Sequence, residues 1–352
     1  LVESALSFGW GAFACDFVYC AALFPLRLLM GVKAKKRILI GAIAGVMVAG
    51  AASAENVRIT PLGSHEGEFC SRDRALILED PDGTRLLYDP GMTVTGANDP
   101  RLGHIDAVLV SHMHGDHVGH VHMPKQGAGT WAKPELSVRA LPDTNTVKIA
   151  LKKGALIVTG SEMPRFFGNK LQAAGGDRKK SRLVRFGANR RVGKVNITTV
   201  PAAHSNGISG SMVGGELGKQ LHAAGLTAYA GPPTGFVLEF SNGLVVYLSG
   251  DTGMTAEQES VVGDHYKAEL AVINIGDVYT TGPEEAAYVL NEMVKAKAVI
   301  PSHANQASTR NGRVVAKTRT ARFLAAVKVP AHLPLSGRTM AFDGDAVCKW
   351  GC

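Results

Sequence analysis

Ala107-Val108-Leu109-Val110 runs without a polar residue into Ser111-His112-Met113-His114-Gly115-Asp116-His117. An apolar run of this length reads as a strand buried on both faces, so the polar cluster lies where the backbone turns out of a sheet. At this spacing the turn sends His112 and His114 to one side and Asp116 and His117 to the other. That division offers two imidazoles to one cation, and a carboxylate plus an imidazole to a second. Zinc takes N and O donors without a directional demand from its d-electrons, and neutral imidazole is the commonest metal ligand. The competing reading is a solvated polyhistidine loop.

The same placement recurs along the chain. Val195–Val200 leads through Pro201-Ala202-Ala203 to His204, Leu244–Leu248 through Ser249-Gly250 to Asp251, and Ala298–Ile300 through Pro301-Ser302 to His303. Each alone is an ordinary turn residue; together with the cluster they deliver ligand-type side chains at strand ends. Gly250 and Gly253 flank Asp251 and suit a tight turn. Val57–Leu62, Ala75–Leu78, Arg85–Tyr88, Ala155–Val158, Phe236–Phe240 and Leu270–Ile275 read as further strands, with Pro81-Asp82-Gly83 turning between two of them. Helices are expected from a Ser161-Glu162-Met163-Pro164 cap to about Ala174, over Gly214–Ala224, and from Pro283-Glu284-Glu285 with an apolar stripe at Ala286, Val289, Leu290 and Met293. This pattern predicts an α/β protein, a sandwich of sheets flanked by helices.

The 352 residues are 45% hydrophobic and 19% charged, with 41 Gly and 16 Pro, which excludes disordered, collagen-like and coiled-coil classes. Much of the formal charge of +8 is local. Lys33, Lys35, Lys36 and Arg37 precede an uncharged run from Ile38 to Ala52, and Ala52-Ser53-Ala54 follows. A basic region, a short apolar segment and an A-x-A site read as a cleaved secretory signal over 30–54, with Met30 as its start; the competing reading is a membrane anchor. Residues 1–29 read as upstream sequence joined by a mistaken start, the alternative being a genuine anchoring extension. The expected mature domain is 55–352, periplasmic or secreted, touching a membrane only through an uncleaved signal. Its 33 basic and 28 acidic residues leave a net charge of +5 with no basic stripe, which argues against nucleic acid. Nothing in the pattern sets an oligomeric state. Of its three cysteines, Cys70, Cys348 and Cys352, at most one pair closes internally, either Cys348–Cys352 or Cys70–Cys348.

Asp89 after an early strand, the His112–His117 cluster, His204, Asp251 and His303, in that order, resemble the metallo-β-lactamase fold superfamily over roughly Val57 to Phe342. The resemblance implies a four-layer αββα sandwich. It implies one metal on His112, His114 and His204, a second on Asp116, His117 and His303, Asp251 bridging both, and Asp89 supporting the ligand loop. Ile275-Gly276, Thr281-Gly282-Pro283-Glu284-Glu285-Ala286-Ala287 and Ile300-Pro301-Ser302-His303 are similar to the ascorbate-6-phosphate lactonases and related metal-dependent hydrolases. They are more distantly similar to the phospholipase D type that cleaves N-acyl phosphatidylethanolamine. Two departures stand out. His204 follows His117 by 87 residues, room for an added strand-helix-strand insert, and Asn206–Thr234 is a long Gly-rich insertion. Both reshape the pocket, so the family substrate is not carried over.

The resulting expectation is an exported hydrolase with two divalent metals, zinc favoured, acting on a small ester, lactone or phosphoester. Paired metals lower the pKa of a shared water, and the hydroxide attacks the carbonyl or phosphoryl centre. Asp251 and Asp116 are the candidate catalytic carboxylates, Asp251 orienting the hydroxide and relaying its proton. His65, Asn206 and Asn305, followed by Ser205 and Gln306, are candidate substrate contacts; His120 and His122 read first as surface histidines. Two alternatives stand beside this reading. A β-lactamase-type amide hydrolase is disfavoured by the carboxylate at Asp251. A non-catalytic metal- or ligand-binding protein on the same scaffold is disfavoured by the complete ligand set. His114 and the lack of a flavodoxin-like segment argue against a flavin-linked di-iron oxidoreductase.

Overall fold

The computed structural model describes residues 56–352, so the expectations for residues 1–29 and for the signal over 30–54 fall outside the described residues. Fourteen strands build two sheets: β1 Val57–Pro61, β2 Leu76–Glu79, β3 Arg85–Tyr88, β4 Ala107–Val110, β5 Leu156–Thr159, β6 Ser181–Leu183, β7 Asn189–Val192, β8 Val195–Pro201, β9 Thr234–Glu239, β10 Val245–Leu248, β11 Leu270–Asn274, β12 Ala298–Ser302, β13 Met340–Phe342 and β14 Cys348–Trp350. The first sheet runs β14-β13-β1-β2-β3-β4-β5-β6 and the second β12-β11-β10-β9-β8-β7.

Strand parity assembles the layers. Successive side chains leave a strand on opposite faces, so β2 sends Leu76 and Leu78 one way and Ile77 the other. Leu76, Leu78, Leu86 and Leu109 meet Ile197, Leu238, Val246 and Val272 of the second sheet in the central core. On the outer face of the first sheet, Ile77, Val108 and Ile157 pack with Val147, Phe167 and Leu171 of its helices. On the outer face of the second, Tyr247, Ala271 and Val299 pack with Ala286, Leu290 and Phe323. Two sheets buried on both faces and covered by helices make the expected αββα sandwich.

Several local expectations shift. Ser161 does not cap the helix Met163–Ala173; it sits at φ +57° and its hydroxyl donates to the Pro232 carbonyl, leaving Glu162 as a cap residue without a side-chain bond. The helix from Pro283 is α-helical only to Tyr288 and continues with wider π-type turns over Val289–Val294, keeping its apolar stripe buried. Helices Asn145–Lys153 and Arg319–Ala326 carry no strong local signal beyond their caps, where Thr144 and Thr318 hydroxyls accept from the Val147 and Ala321 amides. The stretch after His117 extends both sheets, supplying β5 and β6 to the first and β7 to the second. The Asn206–Thr234 insertion is a hairpin, Gly207–Ser209 against Thr227–Tyr229, enclosing helices Gly210–Val213 and Gly215–Ala223.

Cys348 and Cys352 form the disulfide, so the Cys70–Cys348 alternative is not realised. Cys70 is free and buried, its thiol pushed up to about 12 by burial and by neighbouring Asp73. Among the described residues no helix is long and apolar enough to cross a membrane.

Candidate metal centre

Strand direction gathers the ligands. β8 and β10 are each antiparallel to β9 and so share a direction, and β10, β11 and β12 are mutually parallel. The C-terminal ends of β8, β10 and β12 therefore release His204, Asp251 and His303 at one edge of the second sheet. In the first sheet β3 and β4 are parallel and release Asp89 and the His112–His117 cluster at the facing edge. Thr234, opening β9, donates its amide to the Ser111 carbonyl at 3.0 Å and sews the two edges together. Gly250 lies in this seam at φ +61°. A Cβ there would sit 2.8 Å from the Thr234 carbonyl oxygen and 3.1 Å from Ser111 Cβ, so the turn presenting Asp251 requires glycine.

All seven expected ligands converge. Ligand atoms of His112, His114 and His204 lie within 4.8 Å of one another, as do those of Asp116, His117 and His303, and those of His112, His117 and Asp251. Asp251 is central: its Oδ2 is 2.9 Å from His303 Nε2, 3.3 Å from His117 Nε2, 3.8 Å from His204 Nε2 and 3.9 Å from His112 Nε2. His114 Nδ1 faces His204 Nε2 at 3.3 Å, while its Nε2 contacts the Ser205 hydroxyl at 3.0 Å. His303 itself is at φ +52°, a conformation costly for a non-glycine residue and concentrated at functional sites.

A layer beneath the ligands sets their tautomers. Asp89 accepts the Ser111 amide at 2.9 Å, the Ser111 hydroxyl at 2.7 Å and His117 Nδ1 at 2.8 Å. With its hydroxyl proton given to Asp89, Ser111 Oγ accepts from His112 Nδ1 at 2.9 Å. Both rings then keep a proton on Nδ1 and turn Nε2 into the site, the arrangement that raises ligand basicity. Asp89 thus lies where expected.

The electrostatics ask for positive charge. Burial, with neighbouring imidazoles, holds His112 well below its ordinary pKa and lowers His114 and His204 as well, so these rings keep their lone pairs. Burial also opposes charge on His117, but the carboxylates of Asp251, Asp89 and Asp116 outweigh it and raise its pKa well above the ordinary value. Burial is likewise overcome at Asp251 by His117 and His303, and at Asp116 by His117, His303 and Arg74; both stay ionised. The buried atoms His112 Nε2, His117 Nε2, His303 Nε2 and Asp251 Oδ1 make no hydrogen bond. An orphaned buried polar atom costs roughly 1–3 kcal/mol. Divalent cations between neutral imidazoles and carboxylates satisfy all four, so the residues fit the implied metals.

The centre forms the floor of a cavity of about 1110 Å³. His114, His204, Asp251 and His303 line it together with Arg72, Lys133, Glu135, Tyr279 and Asn305. Asn305 and Ser205 line the cavity as expected. The other proposed contacts do not. His65 lies against Ser64 Oγ and lines a separate surface cavity with Glu68 and Trp131. Asn206 is buried beneath the cluster, accepting the Met113 amide at 2.8 Å. Gln306 accepts the Arg319 amide at a helix start. His122 is buried on the Met123 carbonyl, and His120 lines a smaller side cavity of about 360 Å³.

Arg74 is the residue the sequence reading missed. Asp73 accepts the Ser64 and Cys70 amides and folds the 63–74 loop, so its last residue, not His65, reaches the site. The buried guanidinium of Arg74 donates Nη2 to Asp116 at 3.2 Å and to Asn305 Oδ1 at 2.7 Å. Its only sequence signal is a charged residue abutting the apolar Ala75–Leu78 run.

The beta-lactamase superfamily domain matches residues 84–304, more than half of the chain. UPF0173 metal-dependent hydrolases are similar to it. That of Polynucleobacter asymbioticus is 26% identical over 307 residues, covering 84% of this chain and 92% of the relative. That of Koribacter versatilis is 29% identical over 226 residues, covering 63% and 77%. Among solved structures, Igni18, a metallo hydrolase of the archaeon Ignicoccus hospitalis, superposes with a TM-score of 0.54 at 20% identity over 82% of this chain and 99% of that one. YhfI, a metallo-beta-lactamase fold protein of Bacillus subtilis, does so with 0.51 at 12% identity over 82% and 100%. At such identities these two speak for the fold alone. The matched domain spans the ligand-bearing strand ends from Asp89 to His303, and the chain belongs to the beta-lactamase superfamily domain family.

Proposed function

We propose that this protein is an exported, dinuclear metal-dependent hydrolase of a small ester, lactone or phosphoester. The relatives' naming as metal-dependent hydrolases supports the hydrolase reading. One observation carries the dinuclear reading: a single carboxylate oxygen, Asp251 Oδ2, lies within 4 Å of imidazoles drawn from both histidine groups. His112, His114 and His204 would hold one cation, Asp116, His117 and His303 the other, with Asp251 shared. The N/O donor set suits zinc. When bound, such cations supply Lewis acidity and lower the pKa of a coordinated water toward neutrality.

The protein's own residues do the rest. Asp89 and Ser111 hold the His117 and His112 rings with their lone pairs inward. Ser205 fixes His114 by its second nitrogen. Asp251, well below the ordinary carboxylate pKa, serves to accept a hydrogen bond and orient the nucleophile rather than to store its proton. Arg74 holds Asp116 and is itself held by the Asn305 side-chain oxygen. On the cavity wall Arg72 and Lys133 outnumber Glu135 and favour a substrate carrying negative charge, hence a phosphoester over a neutral acyl ester.

Export is supported by the basic-apolar-small pattern over 30–54 and by the Cys348–Cys352 disulfide, a bond that persists in oxidising compartments. The test of the whole reading is turnover by zinc-loaded protein on a panel of phosphomonoester, phosphodiester, lactone and carboxylic ester. Stoichiometric metal with no turnover on any member would convert the reading to a metal-binding protein.

A further inference from the structure

The C-terminal end of the first sheet carries a second group of ligand-type atoms, separate from the centre above. The side chains of His332, Cys348 and Cys352 place one nitrogen and two sulfurs within 4.8 Å of one another. Three features of the chain bring them together. The His332 amide donates to the Val299 carbonyl at 2.8 Å, tying it to β12, and its ring packs edge-on against Phe342 at 5.4 Å. Cys348 opens β14 directly opposite Phe342 in β13, and its side chain packs against the central core. Gly351, at φ +81° where an added Cβ would run into the Thr339 carbonyl, turns the chain so that Cys352 comes back toward Cys348.

We propose that His332, Cys348 and Cys352 form a redox-gated site for a soft or borderline cation such as Zn2+, closed by the disulfide and opened by its reduction. The Cys-x3-Cys spacing falls in the range of structural zinc sites. Tetrahedral zinc with bonds of about 2.3 Å to sulfur and 2.0 Å to nitrogen separates its ligands by roughly 3.5–4 Å. Reduction frees the two sulfurs, bonded to each other in the disulfide, to part to this spacing around a cation, with a ligand nitrogen of His332 already within 4.8 Å of both. His332 is half-buried, and burial lowers its pKa, so its ring is available as a neutral donor near pH 7.

The chemistry balances. A dithiol reductant passes two electrons and two protons to the Cys348–Cys352 bond, which becomes two thiols while the reductant becomes a disulfide. A divalent cation then displaces both thiol protons and binds two thiolates and one imidazole, with water completing the shell. The cation form belongs to the reduced chain before export and the disulfide form to the oxidising compartment after it; either state ties the last strand to its sheet, and the cation adds His332, and through it β12, to the tie.

The test uses Co2+ on the full chain with Cys15 and Cys20 replaced by serine as its reference form, freed of reductant before cobalt is added, because only a thiolate ligand gives a sulfur-to-cobalt charge-transfer absorption in the near ultraviolet. The His/Asp centre has no sulfur, so the readout is blind to it and to the hydrolase reading. The dithiol-reduced reference form should bind one Co2+ with this band, and the oxidised reference form should show none. Cys348→Ser and Cys352→Ser should each lose most of the band, and His332→Ala should weaken binding by at least about tenfold, the lower end of the loss seen when a ligand's mere supporting partner is removed. Cys70→Ala should leave the band unchanged. No band in the reduced reference form, a band in the oxidised protein, or a band that survives the Cys348→Ser/Cys352→Ser double variant would each overturn the proposal.

Discussion

Replacing Asp251 by asparagine keeps the shape of the side chain and the Gly250 turn but removes one negative charge from the middle of the centre. The carboxylate oxygen lost lies 2.9–3.9 Å from the Nε2 atoms of His303, His117, His204 and His112. A unit positive charge held by those rings at about 4 Å loses roughly 4 kcal/mol of attraction at an effective dielectric of 20; if the amide oxygen restores about half, ~2 kcal/mol is lost per unit charge. At 1.4 kcal/mol per decade, ~2 kcal/mol is about thirtyfold in binding for each unit of the cation's charge. Turnover should fall further, by at least about a hundredfold, because the nucleophile loses its orienting acceptor as well. The effect should exceed that of His204→Ala, which removes a ligand of one cation only. Metal content after equilibrium dialysis, chelator competition and turnover on the best panel substrate are read for both variants beside wild type. Near-normal metal content and rate in Asp251→Asn would show that the residue is only a turn former between Gly250 and Gly253, and would defeat the dinuclear reading.

Three further outcomes follow from the same geometry. Asp89→Asn removes the charge that pins His117 Nδ1 and Ser111 Oγ, so metal affinity in chelator competition should drop 10–100-fold, roughly the range for such supporting partners, with the fold retained by circular dichroism. Arg74→Met leaves Asp116 without its buried cation, and urea unfolding of the metal-free protein should show a loss of about 3 kcal/mol; no change would mean the pair contributes nothing. Metal-free protein should also be most stable near pH 6.5, the ordinary histidine value. The raised pKa of His117 contributes stability that is fully present below that value and is lost as pH rises through the higher folded value. The lowered pKa values of His112, His114 and His204 make stability fall as pH drops below it. Melting temperature against pH after chelator stripping checks both slopes, and a monotonic profile between pH 5 and 9 would contradict the charge assignments.

The ligand set was legible because the His112–His117 cluster directly follows the buried run Ala107–Val110, and because His204, Asp251 and His303, ordinary turn residues when taken singly, repeat that strand-end placement in the order of the resembled superfamily. The layering was legible for a similar reason, since the period-two alternation in Leu76-Ile77-Leu78 already assigns the side chains to two faces. Helix ends were less so: Ser161 has the composition of a cap, but its hydroxyl found the Pro232 carbonyl, 71 residues away.

Substrate contacts behaved differently. His65 and Arg74 both belong to the loop leaving β1, and nothing in their immediate neighbours says which will face the metals; the buried carboxylate of Asp73 decides it by gathering the amides of Ser64 and Cys70. Asn206 follows a ligand yet turns away to hold Met113, whereas Tyr279, four residues beyond Ile275, lines the cavity with Arg72 and Lys133. The chain's local patterns establish which groups can bind metal and on which strand ends they stand, because propensity and alternation act over a few residues. Which residues surround the substrate depends on loops closed across tens to hundreds of positions, as Arg74 is on Asn305. Such contacts exist only once both sheets have packed and their edges have met.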